Sequence, residues 1–112
     1  MDDRLRSGME LFNVGAFFEA HEVWERLWLD TVGDERVALQ GLIQIAAGYH
    51  KHELGVLAGA LKLLGAGLRK LAACDDHACG LNLAPFRAAV EADLQRMRNA
   101  GRLHPPSLQT VP

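Results

Sequence analysis

The chain has 112 residues, 49% of them hydrophobic, and a formal net charge of −2. That length suits one domain able to bury about 65% of its unfolded surface, and the composition excludes a disordered chain. The charge is uneven, with ten acids against five Lys and Arg over residues 1–53 and four against seven over residues 54–112. No Arg/Lys cluster is interleaved with aromatics, which disfavours nucleic acid as a partner. The longest apolar run, Leu54 to Leu68, is too short to span a bilayer and is broken by Lys62, so no membrane span is expected. Met1 is followed directly by Asp2, Asp3 and Arg4, which is not a signal-peptide pattern. A cytoplasmic protein is expected, with Cys74 and Cys79 reduced.

Five helical segments follow in order. The first runs from about Asp3 to Asn13, with Leu5, Met9 and Phe12 on one side and Gly15 just beyond its end. The second covers Phe17 to about Leu29. At roughly 100° per residue, Phe17, His21, Trp24 and Trp28 fall on one stripe, with Ala20 and Leu27 beside it. Glu25 lies at the edge of that stripe, and Glu19, Glu22 and Arg26 face water. The turn Asp30 to Asp34 leads to a third helix, capped by Asp34 and continuing to about Glu53. Its inward face holds Leu39, Leu42, Ile43, Ala46, Tyr49 and His50, while Gln40, Gln44 and Lys51 share the opposite flank.

Gly55 turns the chain into the fourth helix, where Leu57, Leu61, Leu64, Leu68 and Leu71 recur in steps of four and three, the spacing of a seam between helices. Gly59, Gly65 and Gly67 lower its helix propensity and admit a close neighbour. A loop from Cys74 to Ala84 follows, and Pro85 suits a first-turn position in the fifth helix, which ends near Ala100-Gly101. The single helical domain is thus residues 1–102, and residues 103–112 form an extended tail containing Pro105 and Pro106. An internal echo at an offset of forty residues aligns Gly8, Gly15, Ala20 and Val23 with Gly48, Gly55, Ala60 and Leu63. Two stacked helical hairpins, faintly like tetratricopeptide units, would produce it.

Chemistry centres on the second helix. His21 and Glu25 are one turn apart and can jointly hold a divalent cation, or one can orient the other. His21-Glu22-Val23-Trp24-Glu25 nearly matches the HExxH metalloprotease signature, but Glu25 replaces the second His and Glu22 faces solvent, so that reading is rejected. Two helical ligands are too few for tight metal binding. His50, on the inward face of the third helix, is the third metal ligand expected, and Gln44 or Tyr49 can add a hydrogen bond. The plainer alternative is a hydrogen-bonded pair of core histidines anchored by Glu25, without ligand. Trp24 and Trp28 are expected in the core, with an aromatic wall to a small-molecule pocket as the alternative. Cys74, His77 and Cys79 offer three soft ligands without a fourth at the usual spacing, so a plain loop with free thiols is expected.

Residues Phe17 to Trp28, followed by Leu39-Gln40-Gly41-Leu42-Ile43-Gln44, resemble the bacterial and archaeal domain of unknown function numbered 309. That family is marked by an HxxxExxW motif, matched here by His21, Glu25 and Trp28. The likeness covers residues 5 to 72 and leaves out the Cys74–Cys79 loop and the tail. It implies a small all-helical intracellular protein whose motif is suspected of binding metal, and some members are labelled metal-dependent hydrolases.

The expectation is an all-α, compact bundle of about five helices, made of two hairpins and a C-terminal helix. Its function is expected to be that of a binding or regulatory module, in which His21, Glu25, Trp28, Gln44 and His50 form a polar cluster for a divalent metal ion or small polar ligand. The rival readings are a metal-dependent hydrolase using His21, Glu25 and His50, and a structural protein-interaction domain. The partner is then an unknown small ligand or protein, with a homo-oligomer left open. Metal-free nucleophilic catalysis is not expected, because Ser7, Thr31, Ser107, Thr110 and both Cys lie away from the second helix's site.

Overall fold

In the computed structural model, which covers residues 1–112, local sequence signals set each helix end. Helix α1 (Asp3–Asn13) begins where the Asp2 carboxylate accepts from Arg4 N at 2.7 Å. It stops at Gly15, whose φ of +83° suits a residue without Cβ. Helix α2 (Phe17–Leu29) runs back along α1, and Arg4 fastens the two at the open end by donating to Asp30 Oδ2 at 2.7 Å. Helix α3 (Gly33–Glu53) and helix α4 (Leu57–Ala72) form a second hairpin, followed by a 3₁₀ turn (Ala78–Gly80) and helix α5 (Leu83–Arg98).

Two boundaries differ from the sequence expectation. Helix α3 starts at Gly33 behind Val32, with no side-chain cap, so Asp34 lies in its first turn and favours the helix through its charge rather than as a cap. Helix α5 starts at Leu83, two residues before Pro85, which still falls in the first turn where no intrahelical N–H is needed.

The forty-residue echo is a repeated hairpin. Gly15 and Gly55 both have positive φ, at +83° and +77°. Ala16 N donates to Leu11 O and Val56 N to Lys51 O, each at 2.9 Å. Gly8 makes room for the Trp24 indole, and Gly48 makes room for the Leu64 side chain, one hairpin repeat later. Ala20 and Ala60 are both fully buried. The two hairpins pack side by side through α2 and α3, and α5 lies against α4.

The core is one cluster. Phe12 is its aromatic hub, with ring centroids 5.0 Å from Phe17, 6.0 Å from Trp24, 5.9 Å from Tyr49 and 5.5 Å from Phe86. Residues 103–112 form no helix and contribute to this core. Leu108 is 1% exposed. Its N–H donates to Asn13 Oδ1 at 2.7 Å, and Asn13 Nδ2 donates back to Leu108 O at 3.0 Å. Tail and 3₁₀ turn meet through a single antiparallel bridge between Leu81 and Thr110.

Candidate functional site

Helix α2 is amphipathic, but its stripe is not buried along its full width. Phe17 and Trp24 reach the core, while His21 and Trp28 stand at its margin, half-buried. There α2 and α3 part to leave a cleft of about 250 Å³. Helix α2 supplies His21, Glu25 and Trp28; α3 supplies Gln40, Ile43, Gln44 and Ala47; and Leu63 of α4 closes one end. The α3 contribution follows i, i+3, i+4, i+7 spacing, one face of a helix. Gln40 and Gln44 therefore line the cleft rather than the outer flank predicted from periodicity.

His21 Nε2 lies 3.3 Å from Glu25 Oε1. Its Nδ1 lies 3.3 Å from the Phe18 carbonyl oxygen. The tautomer decides which of the two contacts is the donated hydrogen bond. Glu25 is more open than its place beside the apolar stripe suggests: its side chain is 55% exposed, against 23% for His21. A His–carboxylate contact so placed is screened and adds little to stability, roughly 0–1 kcal/mol.

Two polar atoms of cleft-lining residues have no partner. Trp28 Nε1 and Gln44 Oε1 are both buried and make no hydrogen bond. The outer face of Trp28 is covered by Arg36, whose guanidinium lies 3.8 Å over the ring. Arg36 also reaches the Thr31 carbonyl at 3.4 Å. That cation–π contact fixes the indole plane at the cleft wall.

The three-residue metal set expected from sequence does not assemble. His50 does not line the cleft. The Phe18 ring lies near both imidazoles, with centroids 5.7 Å from His21 and 5.1 Å from His50. No group of three or more His, Cys, Asp or Glu is placed to hold a metal ion. Tyr49 also turns away from the cleft. Its hydroxyl donates to Asp93 Oδ2 at 2.7 Å inside the core, and burial, joined by the Asp93 carboxylate, holds the phenol far above its ordinary pKa. Trp24 is core as expected, and Trp28 lines the cleft.

Cys74 and Cys79 are free thiols. They face the first turn of α3, where Cys74 Sγ lies 3.9 Å from Asp34 O and Cys79 Sγ lies 3.7 Å from Glu35 O. Sequence reasoning missed Asp93, a fully buried carboxylate. Its place on the inner face of α5, between Val90 and Met97, is the signal that was available.

The second hairpin repeats the packing of the first without its polar residues. At the forty-residue offset, His21, Glu25 and Trp28 become Leu61, Gly65 and Leu68. The cleft is therefore particular to the first hairpin and its contact with α3.

A family model described as "Domain of unknown function (DUF309)" matches residues 5–63, a span that takes in every cleft residue from His21 to Leu63. The chain is also similar to an "Uncharacterized protein" of Aquifex aeolicus (strain VF5), with 30% identity over 88 residues. That likeness covers 78% of this chain and 26% of the relative, so the chain spans about a quarter of the relative's length. With the family's model matched across just over half of its residues, including the whole HxxxExxW segment, the chain belongs to the DUF309 family.

Proposed function

We propose that this chain is a binding module whose α2–α3 cleft takes a small polar ligand, held by His21, Glu25, Trp28 and Gln44. The observation that carries this is the pair of unpartnered buried atoms, Trp28 Nε1 and Gln44 Oε1, on two residues that line one cleft. Each costs about 1–3 kcal/mol while unpaired, and a bound molecule offering complementary groups removes that cost. The His21–Glu25 pair supplies a further donor and acceptor at the entrance.

A tightly held metal ion does not fit this arrangement. His21 and Glu25 are two side-chain ligands where zinc sites take three or four, and His50 does not line the cleft. The eight lining side chains include no Ser, Thr or Cys nucleophile, and a neighbouring His–Glu pair serves structural pairing as readily as acid–base catalysis. We therefore assign binding rather than hydrolysis. A reducing compartment suits the two free thiols.

A fragment screen by thermal shift on the chelator-treated protein tests the reading. Hits are expected to raise the unfolding temperature of the native chain and to lose that effect in Trp28→Phe and Gln44→Met. A crystal structure of the ligand-free protein in which Trp28 Nε1 donates directly to Gln44 Oε1, together with a screen that returns no hits, would remove the case for a site.

A further inference from the structure

The unpartnered atoms also restrict the charge and functional groups of what binds. An indole N–H only donates, and an amide oxygen only accepts. A carboxylate or phosphate would serve Trp28 Nε1 but set its charge against Gln44 Oε1 and the Glu25 carboxylate. Among the lining side chains only His21 can carry positive charge, and it is engaged with Glu25 at 3.3 Å. Arg36 lies over the face of the Trp28 ring and does not line the cleft. An alkylammonium would serve Gln44 and Glu25 but has no lone pair for the indole N–H. A neutral molecule with both a carbonyl and an N–H serves both atoms.

Size and wall chemistry agree. The cleft, about 250 Å³, falls below the roughly 300–1,000 Å³ usual for ligand pockets, so it suits one functional group on a short skeleton or a single ring. Ile43, Ala47 and Leu63 give that skeleton apolar surface. We infer that the ligand of the α2–α3 cleft is a small uncharged amide or lactam, its C=O accepting from Trp28 Nε1 and its N–H donating to Gln44 Oε1. This rests on the binding-module reading above. Turning the Gln44 amide over would present a second donor and suit an anion instead, an arrangement opposed by Glu25 at the entrance and by the lack of a free cation on the walls.

The two tryptophans make the test direct. Trp24 Nε1 already donates to Leu5 O at 3.2 Å and serves as an internal reference, whereas Trp28 Nε1 is free to change. The indole N–H resonances of the full chain are followed by ¹H–¹⁵N NMR during titration with propionamide, propionate or propylammonium, and assigned with Trp28→Phe. Propionamide is expected to move the Trp28 signal saturably and leave that of Trp24 in place. Gln44→Met should weaken the effect about fivefold, as loss of one neutral hydrogen bond does. A stronger response to propionate or propylammonium would overturn the amide assignment while leaving the cleft as a binding site. If none of the three moves the Trp28 signal while a hit of the thermal-shift screen does, the amide assignment falls and the binding-module reading stands.

Discussion

Cys79 occupies a backbone conformation that side chains rarely adopt, at φ +59°, and holds its thiol half-buried near Glu35 O. Burial, then the charges of Glu35 and Cys74, push that thiol up to about 11. Cys74 is raised as well, by burial and then by Asp34. The thiolate is the reactive form, so both cysteines should alkylate with iodoacetamide more slowly than free glutathione at neutral pH. The same shift has a consequence for stability. A folded-state pKa above the unfolded value, 9.0 for an unperturbed Cys, means that the native chain holds the proton more tightly. Cys79 thus contributes stability that is fully present below about pH 9 and is lost as pH rises through about 11. The unfolding temperature should fall over that interval, and fall less in Cys79→Ala. An identical fall in both proteins would show that the thiol is not responsible.

The hairpins owe their closeness to particular glycines. Gly41 and Gly67 bring the backbones of α3 and α4 together: a Cβ added at Gly67 would lie 2.6 Å from Gly41 O and 2.6 Å from Ile45 Cγ1. Backbone cannot yield as a flexible side-chain end can, so Gly67→Ala should cost about 1–3 kcal/mol in urea unfolding. Gly65, two residues away, meets only Arg69 Nη1 at 3.4 Å, and Gly65→Ala should stabilise α4 by about 0.5–1 kcal/mol. If the two substitutions had equal effects, close backbone approach would not be what Gly67 provides. Periodicity in the sequence located both hairpins, and the forty-residue echo located their shared turn, because helix faces and positive-φ glycines leave local marks. It could not separate Gly67 from Gly65, since both read as weak helix formers until the opposing helix is known. The cleft was half legible for the same reason. His21, Glu25 and Trp28 stand out as polar or bulky groups on an apolar stripe, whereas Gln40 and Gln44 face the cleft only through the packing of α3 on α2. His50 shows the converse: it lies on the same broad face of α3 as buried neighbours, yet it does not line the cleft, and the Phe18 ring of α2 lies 5.1 Å from it.

Across the whole molecule, the C-terminal residues act as a clasp around the hairpins. Asp93 is fully buried and accepts from Tyr49 Oη of α3 at 2.7 Å, from Arg96 Nη1 at 2.8 Å and from the backbone N–H of His104 at 2.8 Å. One carboxylate thereby joins α3, α5 and the start of the tail. Farther along, Leu108 fills the core while Asn13 brackets its backbone from α1. Removing one partner of a buried charge is more damaging than removing an exposed pair, because the remaining charge stays desolvated. Deleting residues 104–112 takes away one of the donors to Asp93 and the Leu108 side chain together. Leu108→Ala alone should cost about 2–4 kcal/mol, as large-to-small changes in packed cores do. The deletion should cost more than that substitution, and Asp93→Asn should hurt the full-length chain more than the shortened one, in which the network is already broken. Urea unfolding of the five proteins, followed by tryptophan fluorescence, measures each step. A shortened chain with the midpoint of the full-length protein would mean that the tail lies on the core without supporting it, and the two hairpins with α5 would then be the whole folding unit.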